Sequence, residues 1–199
     1  MFNSSREQVL SGIRAHLPAE RLEHPGIPTF RTAGANLKVT FERHLEEAGG
    51  AAHDLENRAE VQAKLMSLHP GAQVVCSAVP EIPGTRRVET VRDPHELADV
   101  DVAVVRARFG VAESGAVWLT EEDLIVNSLG FLSQHLMVLL DPKEIVADMH
   151  EAYARVRLDQ TAFGCFMMGP SATGDIEATL VHGAQGPRSL NVLFIAGTN

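Results

Sequence analysis

The sequence predicts an α/β fold in which helices cover both faces of a largely parallel sheet. One observation is a set of short apolar runs typical of buried strands, such as residues 101–107 and 190–195. The other is a set of runs with apolar side chains at helical spacing, such as residues 37–48. The two kinds of run alternate through much of the chain, which favours βαβ connections. With 199 residues, of which 45% are apolar, the chain is long enough for one sizeable core.

The N-terminal residues are predicted to add little to this core. Residues 5–17 have apolar side chains at helical spacing and are followed by Pro18, so they predict a first helix. Residues 18–34 follow neither the helical nor the strand period. We therefore divide the chain into an N-terminal helix and extended segment, residues 1–35, and an α/β domain, residues 36–199, which we expect to fold without that segment.

The first half of the α/β domain is predicted to contain two helices, each followed by a strand. Residues 37–48 form one helical face that Gly49 and Gly50 stop, and residues 51–55 read as a short strand. Asn57 is a candidate cap for a second helix that runs to Leu68. The next strand is predicted over residues 72–76, which contain the β-branched pair Val74 and Val75.

The second half of the domain is predicted to be dense in strands. Apolar runs predict strands over residues 101–107, 111–119, 131–140, 163–168 and 190–195. Asp141 and Pro142 supply an N-cap and a first helical residue, and the apolar spacing over residues 145–156 then predicts one continuous helix.

The composition argues against several classes of partner and site. Lys and Arg total 17 against 26 Asp and Glu, giving a net charge of −9 with no basic run, so we expect no nucleic-acid partner. Residues 1–7 lack the apolar core of a signal peptide, and no segment reaches the ~18 uninterrupted apolar residues of a membrane helix, so we expect a cytoplasmic protein. Cys76 and Cys165 lie far apart and the histidines lack ligand spacing, so we expect no metal site and no cofactor in this chain.

Three segments place small and polar residues at the ends of, or within, apolar runs. They are Gly-Val-Ala-Glu-Ser-Gly-Ala-Val at 110–117, Gly-Pro-Ser-Ala-Thr-Gly-Asp-Ile-Glu at 169–177 and Gly-Ala-Gln-Gly-Pro-Arg at 183–188. Strand ends are where α/β proteins keep ligand sites. We therefore expect the three segments to converge on one rim of the sheet.

The two later segments supply most of the candidate ligand-binding residues. Ser171, Thr173 and Asp175 are good N-cap residues, and a helix after them would direct backbone N–H groups at a phosphate or carboxylate. The alternative is a structural turn whose hydroxyls satisfy its own backbone. The residues that we expect at a ligand are Gly115, Ser171, Thr173, Asp175, Glu177, His182, Gly186 and Arg188.

Arg188 is predicted to be the main positive group of this site. It follows a Gly-Pro turn that fixes the backbone direction, and its guanidinium is expected to pair either with a bound anion or with Asp175 or Glu177. His135 lies within a predicted strand, so we expect a core histidine bonded to a carbonyl in preference to a catalytic base.

The order and spacing of the three segments resemble the lactate-utilization (LUD) domain family, particularly its C-type members. Gln185 departs from the family, which usually has histidine before this Gly-Pro. The resemblance implies the α/β fold shared by sugar-phosphate isomerases and coenzyme A transferases. It also implies a role in oxidising L-lactate to pyruvate beside separate partner proteins that carry iron–sulfur clusters. Our leading hypothesis is a lactate-utilization protein that binds a small anionic metabolite or docks to those partners.

Glu113 is the candidate catalytic residue. It is predicted to lie inside an apolar strand, where an unpaired carboxylate is costly. The sequence Glu113-Ser114-Gly115 is similar to the segment in which coenzyme A transferases use a glutamate as an acyl-accepting nucleophile. A nucleophile, a ligand-contacting carboxylate and a structural carboxylate are the three alternatives. A free-standing acyl-CoA transferase, a sugar-phosphate isomerase-like enzyme and a non-catalytic regulatory subunit are the alternatives to the lactate hypothesis.

Overall fold

The structure, a computed structural model, describes residues 5–18, 23, 25, 26, 28, 36–80, 82–157 and 159–197. The chain divides into two compact units, Met1–Phe30 and Arg31–Asn199. In the first unit the helix α1, Ser5–Ala15, confirms the predicted first helix and buries none of its residues. The predicted domain boundary at residue 35 stays a prediction, and most of residues 18–34 lie outside the described residues.

The second unit is built on a parallel sheet of six strands, which confirms the predicted largely parallel sheet. The strands are β1 (Ala51–Asp54), β2 (Val75–Ser77), β3 (Arg86–Arg87), β4 (Val102–Arg106), β7 (His135–Leu140) and β12 (Ser189–Phe194). Their order across the sheet is β1-β12-β7-β4-β2-β3, and each neighbouring pair is parallel. All six amino-terminal strand ends therefore lie along one edge of the sheet.

Two smaller sheets complete the β structure. A four-stranded sheet has the order β8-β5-β6-β9, with β5 at Phe109–Val111, β6 at Ala116–Thr120, β8 at Ile145–Val146 and β9 at Gly164–Met167. A separate antiparallel hairpin consists of β10 (Ala172–Ile176) and β11 (Thr179–His182). This hairpin contains most of the second polar segment.

The helices of the second unit are short, and side-chain caps begin several of them. They are α2 (Leu37–Glu47), α3 (Ala59–Leu68), α4 (Glu121–Leu124), α5 (Leu129–Leu132) and α6 (Met149–Arg155). Asn36 caps α2 by accepting from the Val39 N–H, and the Asn57 side chain accepts from the Ala59 N–H where α3 begins. The two helices predicted in the first half of the domain are thus confirmed.

Residues of the central strands alternate between two apolar cores, one on each face of the six-stranded sheet. Val102 and Val104 pack in a core with Val61 and Leu65 of α3. Their strand neighbours, including Ala103, belong to the opposite core, which contains the Phe41 and Leu45 side chains of α2 and the Val117 and Leu119 side chains of β6. Full burial of side chains of this size contributes roughly 1.5–3 kcal/mol each. Helices do cover both faces, but the four-stranded sheet shares one face with α2.

The predicted continuous helix over residues 141–156 is wrong. The chain instead forms a 3₁₀ turn at Pro142–Glu144, the strand β8 and then the short helix α6. Ile145 pairs with Gly110 of β5 and is only 5% exposed. Pairing with a buried neighbouring strand outweighs the helical spacing of these apolar residues, because burial contributes more than local helix propensity.

Two of the predicted long strands are also interrupted. Residues 111–119 do not form one strand, because a tight turn at residues 112–115 separates β5 from β6. Gly115 has φ +66°, a left-handed conformation that allows this reversal at low cost. Residues 131–140 likewise divide into the end of α5 and the strand β7. Apolar content alone does not reveal where such a run changes direction.

Candidate functional site

The two later polar segments are joined at the base of the β10–β11 hairpin. The Ser171 N–H donates to the Pro187 carbonyl at 2.8 Å, and the Gly183 N–H donates to the Ser171 carbonyl at 2.8 Å. The predicted helix after Ser171, Thr173 and Asp175 is wrong, because these residues lie in or beside β10. The anion site that we predicted at a helix N-terminus therefore loses its basis, and the structural-turn alternative fits the hairpin.

The candidate ligand-binding residues of the hairpin either form local turn contacts or are exposed. Thr173 accepts from the Asp175 N–H at 3.2 Å, as in a local turn. Asp175, Glu177 and His182 are all exposed. Gly186 packs closely on Ser171, since a Cβ on Gly186 would lie 2.9 Å from the Ser171 Cβ. These residues support the turn geometry of the second and third segments.

The first segment meets the second one at the carboxyl end of α2. A Cβ on Gly115 would lie 2.3 Å from the Leu45 nitrogen, and a Cβ on Gly169 would lie 2.2 Å from the Ala48 oxygen. Both glycines have positive φ, +66° and +64°. Their main role is therefore to let two loops approach the backbone of one helix end.

Glu113 does not lie inside an apolar strand, as was predicted; it is the exposed residue of the β5–β6 turn at residues 112–115. Its Oε1 accepts a hydrogen bond of 2.8 Å from the Met149 N–H, the first residue of α6. A carboxylate at this position satisfies one of the free N–H groups at the helix start. The contact gives Glu113 a structural role that needs no ligand.

A separate cavity lies at the amino-terminal edge of the parallel sheet. Its volume is about 750 Å³, and it opens where α3 ends and where β4, β7 and β12 begin. Open α/β sheets usually bind ligands at the opposite, carboxyl edge. The residues that line it are Leu68, His69, Gly71, Ala72, Asp101, Gln134, His135, Arg188, Ser189 and Asn191. Of the residues predicted at the site, Arg188 alone belongs to this lining.

Two histidines stack inside the cavity. The ring centroids of His69 and His135 are 4.1 Å apart, with an angle of 25° between the planes. Burial, and then the neighbouring His135, lower the pKa of His69. Burial, and then the Arg188 guanidinium, lower the pKa of His135, against an opposing effect of Asp101. Both imidazoles are therefore held in the neutral form, and the buried Nε2 of His69 has no hydrogen-bond partner.

A chain of hydrogen bonds runs from His135 across three parallel strands. The His135 Nδ1 lies 2.8 Å from the Ser189 Oγ, and the Asn191 Nδ2 donates to the same oxygen at 3.4 Å. The Asn191 Oδ1 in turn lies 3.1 Å from the His53 Nε2. The partner of His135 is thus a hydroxyl group, whereas the sequence led us to expect a backbone carbonyl.

The cavity contains one group of each charge. Asp101 accepts from the Gln73 and Val74 N–H groups at 2.8 Å each, and these bonds lower the pKa of its carboxyl. Arg188 forms no ion pair within the described part of the chain, so the predicted pairing with a hairpin carboxylate is not formed there. Its backbone N–H donates to the Gln134 carbonyl at 2.8 Å and fixes the start of β12.

The cavity residues that we did not predict from the sequence share a pattern that is present in the sequence. Each buried strand at the cavity is preceded or begun by polar side chains: Asp101 before β4, Gln134 and His135 at β7, and Arg188 and Ser189 at β12. In a parallel sheet these positions share one edge. These polar residues predict a common site only if it is known that β4, β7 and β12 are neighbours in the sheet.

Comparison with known families identifies the domain. The family model described as LUD domain matches residues 87–195, which is more than half of the 199-residue chain. The chain belongs to the LUD domain family. The matched region contains β4, β7 and β12 and thus most of the cavity.

Two further comparisons agree with a shared domain. The LUD chain is 28% identical over 102 residues to "Uncharacterized protein NMB1437" of Neisseria meningitidis serogroup B (strain ATCC BAA-335 / MC58), covering 50% of this chain and 44% of that relative. It thus spans less than half the length of this curated relative. A crystal structure of a DUF162 family protein from Deinococcus radiodurans is similar with a TM-score of 0.62 at 18% identity, covering 80% of this chain and 96% of that one. This likeness supports the fold.

Other classes of site find little support in the part of the LUD chain that the structure describes. None of its helices has the length and apolar character needed to cross a membrane. No three His, Cys, Asp or Glu side chains of the described ranges are grouped so that they could hold a metal ion. Cys76 and Cys165 are free, and burial raises the pKa of Cys165 to about 11. Such a cysteine stays a thiol and is a poor nucleophile.

The LUD domain is expected to lose stability as the pH falls below 6.5, because the pKa values of His69 and His135 are lowered in the folded state. In that range the unfolded chain binds protons that the folded chain resists, so the free energy of unfolding decreases with decreasing pH. The loss of stability levels off below the pKa values that His69 and His135 have in the folded state. Urea unfolding at about pH 7.5 and about pH 5.5 measures it, and His69→Gln should reduce the difference. If the free energy of unfolding of His69→Gln differs between the two pH values as much as that of the native protein, the lowered pKa of His69 is not the cause.

The β10–β11 turn is expected to be stabilised by Ala178→Gly. Glu177 and Ala178 both have positive φ, 54° and 55°, in a two-residue turn where Asn-Gly is preferred. Glycine at the second position should relieve roughly 1 kcal/mol of strain, and Glu177→Asn somewhat less. Hydrogen exchange of the hairpin amides should slow accordingly. Ala184→Gly, at an exposed position without positive φ, is the matched control, and equal exchange rates in both variants would refute the strain.

Proposed function

We propose that this LUD domain is a C-type lactate-utilization protein that takes part in the oxidation of L-lactate to pyruvate beside iron–sulfur partner proteins. Membership of the LUD family supports the general assignment. The order and spacing of the polar segments at 110–117, 169–177 and 183–188 support the C-type subgroup. We further propose that its fold is the one shared by sugar-phosphate isomerases and coenzyme A transferases, which the largely parallel sheet supports.

The ligand that the cavity fits best is a small carboxylate. The observation that carries this proposal is the Arg188 guanidinium, which has no carboxylate partner among the described residues and lies at a cavity of about 750 Å³. A guanidinium binds a carboxylate with two parallel hydrogen bonds. In a chain with a net charge of −9, a cation left without a partner at a cavity favours a small anion as its occupant.

The neutral histidines make the same cavity suitable for the part of the ligand next to its carboxylate. His69 and His135 form a stacked, uncharged wall, so they add no second cation that would favour phosphate. Asp101 would repel an anion, but its charge is partly offset by two backbone N–H groups. These features together favour an acid the size of lactate or pyruvate.

An acyl-CoA transferase remains the second candidate activity, since Glu113 is exposed and is followed at once by Ser114 and Gly115. Its hydrogen bond to Met149 supports a structural role over an acyl-accepting one. Incubation of the native protein with acyl-CoA, followed by mass spectrometry, tests the point: a Glu113 thioester would favour the transferase over the lactate proposal.

The proposed role is tested by deleting the gene and growing the cells on L-lactate. We expect slower growth and reduced lactate-dependent respiration, both restored by the native gene, and normal growth on pyruvate as the control. Co-purification from lactate-grown cells should recover proteins that contain iron–sulfur clusters. Unimpaired lactate-dependent respiration in the deletion strain would count decisively against the role.

A further inference from the structure

We propose that the cavity takes up one proton with each small carboxylate that it binds, and that the imidazole of His135 holds this proton in the complex. The bound ligand and the proton together are then equivalent to the neutral acid. The inference rests on the proposed function in that it takes the ligand to be a small carboxylate beside Arg188.

The charges of the free cavity balance one another. Among the described residues of its lining, Asp101 and Arg188 carry one charge of each sign, and His69 and His135 are neutral. A carboxylate that pairs with Arg188 adds one negative charge, and one proton restores the balance. A doubly charged anion would still leave a negative charge without compensation, so the balance suits a monocarboxylate.

A ligand at Arg188 is placed to raise the pKa of His135. In the free protein, burial and then the Arg188 guanidinium lower this pKa, and Asp101 opposes them. A carboxylate paired with Arg188 offsets the guanidinium and acts in the same direction as Asp101. Asp101 itself stays ionised near neutral pH, because two backbone N–H groups lower the pKa of its carboxyl. The titratable and charged groups that face His135 from the surrounding elements are His69 at the end of α3, Asp101 before β4, Arg188 before β12 and, through Ser189 and Asn191, His53 of β1.

His135 is better suited than His69 to hold the added charge. The His135 Nδ1 lies 2.8 Å from the Ser189 Oγ, which can accept a hydrogen bond from it. The Nε2 of His69 is buried without a hydrogen-bond partner, so an imidazolium at His69 would keep an unsatisfied N–H group. The two rings stack with centroids 4.1 Å apart. A charge on His135 therefore disfavours a second charge on His69, and the uptake stops at one proton.

Proton uptake is measured by calorimetric titration of the full chain with pyruvate at about pH 7, in buffers that differ in their enthalpy of ionisation. The carboxyl group of pyruvate is ionised at this pH, so a heat that depends on the buffer reports protons taken up by the protein. We expect a measurable uptake that does not exceed one proton. Because binding raises the pKa of one group, the affinity should fall as the pH rises from about 6 to about 8, by at most tenfold per pH unit.

The residue that holds the proton is identified by NMR on the full chain labelled with ¹⁵N-histidine. Saturating pyruvate should move one set of signals from the neutral towards the imidazolium position, and this set should be missing in His135→Gln. The His135→Gln variant should also lose most of the proton uptake and of the pH dependence. His69→Gln should keep both. His150→Gln is a further control, because His150 is exposed and does not line the cavity.

Calorimetry on the native protein decides the inference even if a variant fails to fold. Pyruvate binding without proton uptake would overturn the inference and leave the small carboxylate as the ligand. Uptake by His69 in place of His135 would overturn the assignment of the proton. Binding of neither pyruvate nor L-lactate would overturn the inference as well. Growth on L-lactate is measured separately, so failure of the inference and failure of the proposed role can be told apart.

Discussion

Gly115→Ala is expected to lower the free energy of unfolding by roughly 2 to 5 kcal/mol. A Cβ at this position would lie 2.3 Å from the Leu45 nitrogen and 2.7 Å from the Leu45 Cα, both backbone atoms. The residue must also keep φ at +66°, which costs roughly 1–2 kcal/mol for a non-glycine residue. Because α2 is anchored by buried Phe41 and Leu45, it cannot easily move away.

Thermal unfolding measures this loss. For a domain of this size, it corresponds to a decrease in Tm of roughly 5 to 20 °C. Gly169→Ala should behave similarly, since its Cβ would lie 2.2 Å from the Ala48 oxygen. Gly174→Ala is the control from the same segment, because nothing lies within 4 Å of its Cβ position and its φ is not positive. Native-like melting of the Gly115 and Gly169 variants would show that the loops can shift, and would refute a close-packing role for these glycines.

Arg188→Ala is expected to weaken binding of pyruvate on the order of 100-fold, because a charge-assisted pair of hydrogen bonds to the carboxylate is lost. Arg188→Lys keeps the charge but not the planar fork, so about a tenfold loss is expected. The Tm should change little in either variant, since the exposed guanidinium forms no ion pair among the described residues.

Arg92→Ala is a suitable control for the loss of one positive charge, because Arg92 is exposed and does not line the cavity. Calorimetric titration of the three variants beside the native protein measures the effect. Unchanged pyruvate affinity in Arg188→Ala would exclude Arg188 as the carboxylate ligand. The same affinity loss in Arg92→Ala would indicate a general electrostatic effect and would also contradict the specific contact.

The sequence alone determined the class of the fold and several of its elements. Strands such as β4, β7 and β12 could be predicted because they are buried on both faces, and continuous apolar runs are the direct consequence of that burial. The helices α2 and α3 could be predicted because each presents one apolar face at helical spacing. The order of the polar segments was also sufficient to indicate the LUD family, since glycines and hydroxyls at fixed spacing are a local property of the chain.

The tertiary structure decided where these local patterns change direction and which side chains meet. Residues 145–156 have helical spacing, yet Ile145 and Val146 form β8, because β5 offers a partner strand and burial at that position. The sequence predicts a strand at Glu113, whereas the structure has a turn there. The difference arises because the sequence does not show that Gly115 adopts the positive φ that reverses the chain. The cavity combines His69, His135 and Arg188 from three distant parts of the sequence. Only the order of strands in the sheet brings their amino-terminal ends to one edge, and strand order depends on long-range pairing that no local pattern encodes.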